Sequence, residues 1–222
     1  MANFRCILCI FFVLAASNPS PLTSIMKNQY TALSSLPLLL PDDQKRWLID
    51  HIPYRIRAVL PGIRMPGKWA VNLAANAKAG DLPFRCMGDS IWEGRLASMR
   101  WLILFVGISA KAGTWAPTRP RPYKESQDVF ITRIEGGQMG LFPQTSPDAK
   151  TLAHIWAGCS KASSHPTNRI DHPKVNEPEL VAALEIVIRH LQNTIYSKAG
   201  KNLIDYVLTI KKPEQLLAEW ES

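Results

Sequence analysis

Two stretches of this chain repeat apolar side chains every three or four residues, and a rod is the structure that gathers that spacing onto one face. Trp92, Leu96, Met99, Ile103 and Val106 make the first stripe, and Leu180, Leu184, Val187, Leu191 and Ile195 make the second. A strand would send alternate members of each stripe to opposite faces, whereas a 3.6-residue period keeps them together. Such stripes must be covered by other elements. The expected fold is therefore mainly α, a multi-helix bundle with one irregular Pro-rich connection and at most one short strand or hairpin.

Punctuation residues set the expected boundaries. Pro41, Asp42 and Asp43 suit a helix start, because Pro loses no hydrogen bond there and acids complement the dipole. Trp47, Leu48, Ile52, Ile56, Val59 and Leu60 follow at helical spacing, with a kink or break expected at Pro53 and a stop at Pro61 and Gly62. A weaker helical pattern runs from Lys68 to Lys78. Ser90 and Glu93 spell a capping box and predict a helix start just before Trp92. From Thr114 to Gly140 the chain is Pro- and Arg-rich and reads as a linker, with Val129 to Ile134 able to form one short strand ended by Gly136 and Gly137.

Ser146, Pro147 and Asp148 open the next helix, whose buried stripe is Leu152, Ile155, Trp156 and Cys159. Asn176 and Glu179 repeat the capping logic ahead of the second stripe, and Gly200 ends that helix in the left-handed position. Leu203 to Ile210 and Pro213 to Trp220 predict two short terminal helices.

Before residue 41 the pattern changes. Arg5 precedes an apolar run from Ile7 to Ala16, then small residues at Ala15 and Ser17, then Pro19 and Pro21. That is the layout of a secretory signal peptide, too short to span a bilayer. Residues 1–17 are thus expected to be a signal peptide or a misassigned N-terminal extension, 18–40 an irregular leader, and 41–222 a single mainly helical domain without a transmembrane span. A true start at Met1 implies a secreted or periplasmic protein, and one at Met26 a cytoplasmic protein.

The formal net charge is +8, which favours an acidic partner such as nucleic acid. The excess is spread along the chain rather than gathered in a run. Its densest stretches are Arg55, Arg57 and Arg64, then Arg119, Arg121 and Lys124. Arg95 and Arg100 read as a solvated face of their helix. Four cysteines are too few for a disulfide framework in 222 residues. Cys6 and Cys9 lie in the apolar leader without further ligands, and Cys86 and Cys159 read as buried free thiols.

Nucleophilic and ionisable groups concentrate at one helix junction, from Cys159 to His172. Cys159, His165 and His172 carry metal-ligating atoms but lack the tight pairs of a zinc site, so neither metal nor cofactor is expected. Ser163 or Ser164 with His165 and Asp171 holds the residue types of a nucleophile triad, without a G-x-S-x-G turn. A third reading starts from "HIWAGCS", "SKASSH" and the long helix "ELVAALEIVIRHLQNTIY". In these stretches, and over about 90–110 and 146–197, the chain resembles the HEPN superfamily of small helical domains. That resemblance implies a nucleic-acid-associated factor or a degenerate metal-independent ribonuclease, with His165 as general base and Lys161 neutralising charge. The family's Arg is Lys161 here, which lacks the bidentate fork for phosphate.

The same residues also serve as ordinary turn and cap groups, and His51, His154 and His190 read as satisfied hydrogen-bonding partners. The leading expectation is a non-enzymatic helical protein acting by binding or as a structural element, its partner a protein or RNA.

Overall fold

A computed structural model describes residues 36–60, 75, 76, 78, 82–111, 114, 116–120, 129–137, 142–162, 174–209 and 211–221. The signal-peptide segment, most of the leader and most of the Lys68 to Lys78 pattern lie outside the described residues, as do Cys6, Cys9, Arg64, Arg121, Lys124 and the loop 163–173.

The described chain is mainly α. Helix α1 covers residues 41–59 as three continuous parts, Pro41–Arg46 (α), Trp47–His51 (π) and Ile52–Val59 (α). Helix α2 is Leu82–Phe105, α3 is Pro147–Ala162, α5 is Leu203–Leu208 and α6 is Pro213–Glu221. Helix α4 covers 177–196, with Glu177–Leu191 α-helical and Gln192–Tyr196 π-helical. The sheet consists of Ser109–Ala110 (β1) and Pro117–Thr118 (β2), paired antiparallel.

Helix α2 lies at the centre, against α1, α3 and α4, while α5 and α6 pack on α1 and the hairpin packs on α3. Both sequence stripes are buried as expected: Leu96, Met99, Ile103 and Val106 from α2 join Leu180, Leu184, Val187, Leu191 and Ile195 from α4 in one apolar cluster. Trp92 is only partly buried at its edge.

Pro53 neither breaks α1 nor ends it. In the π turn the Ile52 N–H reaches back five residues to the Trp47 carbonyl. The next carbonyl, Leu48, would take its donor from residue 53, and Pro has none. The Tyr196 hydroxyl supplies it, donating to the Leu48 carbonyl from a side chain that is fully buried. Tyr196 itself closes the π turn of α4, so the two wide turns are joined by one hydrogen bond.

Helices α2 and α4 end alike. The Ile108 N–H bonds the Ile103 carbonyl and the Gly107 N–H the Leu104 carbonyl; Lys201 repeats the pattern to Tyr196 and Gly200 to Ser197. Gly107 (φ 85°) and Gly200 (φ 67°) take the left-handed conformation that this motif requires. The Asn176 and Glu179 capping box forms in both directions, and Ser146 Oγ accepts from the Ala149 N–H.

Two expectations are corrected. Helix α2 begins at Leu82, so Ser90 lies inside it and donates to the Cys86 carbonyl one turn back instead of capping. The same Ser and Glu spacing also fits a helix interior, where a Ser hydroxyl bonds back to the carbonyl four residues earlier. Val129 to Ile134 forms no strand: Ile131–Arg133 is a 3-10 turn with Ile131, Thr132, Arg133 and Ile134 all buried. Its N–H groups bond locally, Arg133 to Phe130 and Ile134 to Ile131, and the Arg133 carbonyl accepts from Leu39, so the backbone is satisfied without a ladder partner.

Candidate functional site

The most chemically distinctive described surface is an aromatic and cationic face shared by α1 and α2. Trp47, His51 and Arg55 recur at four-residue intervals along α1, which brings them to one side of the rod. Trp101 and Phe105, also four apart, do the same on α2. The Trp47 and Trp101 rings stack at 5.3 Å and 14°, and Trp101 stacks on Phe105 at 5.3 Å and 9°. Phe105 is sunk in the core, while Trp47 and Trp101 are half-buried, so the stack runs from the interior to the surface. The exposed His51 ring lies 5.0 Å from Trp47. Above Trp101, the Arg55 guanidinium sits 5.4 Å from the ring centroid and 5.6 Å from that of Tyr54, which is 56% exposed. Among the described residues Arg55 makes no hydrogen bond or ion pair; its contacts are these two ring faces.

Four other arginines of the body are used differently. Arg95, expected on a solvated face, is 9% exposed. Its Nε donates to the Val59 carbonyl at 2.8 Å, at the C-terminus of α1, and its two terminal nitrogens grip both Glu177 oxygens at the start of α4. A carboxylate at a helix N-terminus and a cation at a helix C-terminus each match the dipole. Arg57 donates to the Tyr206 carbonyl of α5, Arg133 to the Pro37 carbonyl, and Arg119 to the Gly107 carbonyl. Much of the basic excess is thus engaged with backbone acceptors inside the fold.

His190 on α4 departs from the expected satisfied partner. Its ring stacks on Phe142 at 3.9 Å, and its Nε2 is buried without a hydrogen-bond partner among the described residues. Burial pushes its pKa down to about 4, with Asp148 opposing and the Arg119 charge adding to the fall. It is a neutral ring at physiological pH. The Cys159 thiol, fully buried in α3, is pushed up to about 12 by burial against the pull of Arg100, so it is not a nucleophile. Cys86 is exposed rather than buried, and both are free thiols.

The junction singled out in the sequence is only partly described. Lys161 falls on the last turn of α3, while Ser163, Ser164, His165, Asp171 and His172 lie outside the described residues. Cys159 points into the core, away from any role as a ligand or nucleophile beside them. Among the described residues, no group of three or more His, Cys, Asp or Glu side chains is placed to hold a metal ion. Likewise, among the described residues no helix is long and apolar enough to cross a membrane. The aromatic face is not evident in the sequence as a whole, because its members lie up to 58 positions apart. The available signal was the four-residue recurrence of Trp47, His51 and Arg55.

Comparison of the chain with protein-family models, with curated proteins and with solved structures returns no match.

Proposed function

We propose that this protein works by binding rather than by covalent catalysis, and that the face of Trp47, His51, Tyr54, Arg55 and Trp101 is its contact surface for single-stranded nucleic acid. The observation that supports this is Arg55, a cation laid across two aromatic rings with no acceptor among the described residues. Base rings stack on exposed aromatic faces whatever their sequence, and a nearby guanidinium neutralises the phosphate that follows. A protein carrying +8 attracts such a strand from a distance.

The test is anisotropy of a labelled 12-nucleotide single strand. Binding should weaken steeply as salt rises, and Tyr54→Ala and Arg55→Ala should each cost about 1–3 kcal/mol of affinity. Equal affinity in the wild type and in both variants removes this surface from consideration.

A second reading keeps the junction. Helices α3 and α4, which precede and follow the loop 163–173 in the sequence, pack together. On that reading Lys161 and His165 serve a weak metal-independent ribonuclease. Cleavage of mixed RNA that survives chelator and disappears in His165→Ala supports it, and intact RNA in all samples ends it.

A further inference from the structure

The aromatic face carries one permanent cation, Arg55, and one side chain of a type that gains its charge from a proton near neutral pH, His51. We propose that His51 makes strand binding at this face proton-linked, adding a second phosphate contact in mildly acidic solution and withdrawing it in alkaline solution. This regulation rests on the reading of the face as a contact surface for single-stranded nucleic acid.

The two groups are placed for one strand. His51 and Arg55 are four residues apart on α1, so they share a side of the helix and stand about 6 Å apart along its axis. The His51 ring lies 5.0 Å from Trp47, the Trp47 ring 5.3 Å from Trp101, and the Arg55 guanidinium 5.4 Å over Trp101. Each group thus stands beside one member of a single tryptophan pair. A base stacked on that pair brings its neighbouring phosphates toward both of them. His51 is exposed, and among the described residues its side chain makes no hydrogen bond or ion pair.

The charges around His51 set the sign of the effect. On α1, Asp50 adjoins it, Asp43 and Arg46 precede Trp47, and Arg57 is engaged with the Tyr206 carbonyl. From α2 the uncharged rings of Trp101 and Phe105 face Trp47. Helix α6 packs on the π turn and carries Glu214 and Glu219, the latter paired with Lys211. A protonated His51 and Arg55 are like charges at i and i+4, which repel mildly. A phosphate between them turns that repulsion into two attractions. Strand binding and proton uptake at His51 therefore favour each other, and by linkage to the same degree.

The experiment is anisotropy of a labelled 12-nucleotide oligothymidylate, whose bases do not titrate between pH 5.5 and 8, at both pH values and several salt concentrations. At pH 5.5 the wild type should bind about fivefold or more tighter than at pH 8. Its slope of log affinity against log salt should also be steeper there by about 0.7, one further phosphate being neutralised. His51→Gln should bind alike at the two pH values, and with wild-type affinity at pH 8. His154→Gln, at an exposed histidine of α3, should keep the wild-type pH response. Matching circular dichroism at the two pH values keeps loss of fold out of the comparison. Equal wild-type affinity at both pH values, or a pH response retained in His51→Gln, overturns the proposal and leaves the face a strand-binding surface. Absence of binding at either pH ends the nucleic-acid reading and this regulation with it.

Discussion

Helix α2 presents two tryptophans to two arginines, and the pairs have opposite fates. Arg95 stands 5.1 Å over Trp92, and Arg55 stands 5.4 Å over Trp101. Arg95 also meets the Val59 carbonyl and both oxygens of Glu177, so all its donor nitrogens are engaged and it joins three helices. Among the described residues Arg55 has the rings alone. Ring contact therefore does not say whether an arginine is structural; the acceptors around it do. Where a helix end offers an orphan carbonyl, the cation is drawn inward, and where none lies within reach it stays available for an external acceptor.

The largest expected effect breaks the inward pair. Arg95→Met leaves the Val59 carbonyl unpaired and unlocks α1 from α4, and should cost about 2–4 kcal/mol in urea unfolding. A loss as small as that of a surface substitution would mean the two arginines are equivalent after all.

His190 on Phe142 offers a ring partner whose charge can change. Its folded pKa near 4 lies below the ordinary histidine value of 6.5, so between these values the unfolded chain binds more protons. Stability is therefore full above pH 6.5 and falls as the pH drops toward 4, by on the order of 2 kcal/mol from this group. His190→Gln should flatten that part of the pH profile in thermal melts. An unchanged slope would show that the imidazole charges freely, like an exposed one.

Next comes the one hydrogen bond between the two π turns. Tyr196→Phe keeps the ring packing but strips the Leu48 carbonyl of its donor, and should cost about 1–3 kcal/mol. The smallest effect sharpens the contrast from its other side: Arg55→Ala should change stability by less than about 0.5 kcal/mol. A larger loss would place Arg55 with Arg95 as a structural group.

The fold was legible in the sequence wherever one face of a long element had to be buried. The stripes from Leu96 to Val106 and from Leu180 to Ile195, the Asn176 and Glu179 cap, the Ser146 cap and Gly200 all read through directly. Ser90 misled because the same Ser and Glu spacing serves a cap or, mid-helix, a bond back to Cys86. Val129 to Ile134 misled because a fully enclosed run has no periodicity to tell a strand from a tight turn. The aromatic face was half legible: Trp47, His51 and Arg55 share one helix, but the approach of Trp101 depends on how α1 and α2 cross. Arg95 was not legible, since its acceptors at Val59 and Glu177 are 36 and 82 residues away. The roles of Lys161 and His165 rest on a resemblance in short stretches of sequence, a signal that does not carry side-chain geometry.

The wide turn at Pro53 ties together two positions 143 residues apart in the sequence. Placing Ala at 53 returns an amide proton opposite Leu48, and the phenolic hydroxyl of residue 196 then competes with it for one acceptor. The two substitutions should therefore be less than additive in a double-mutant cycle. Over evolutionary time, proline at one site and tyrosine at the other would be gained or lost as a unit.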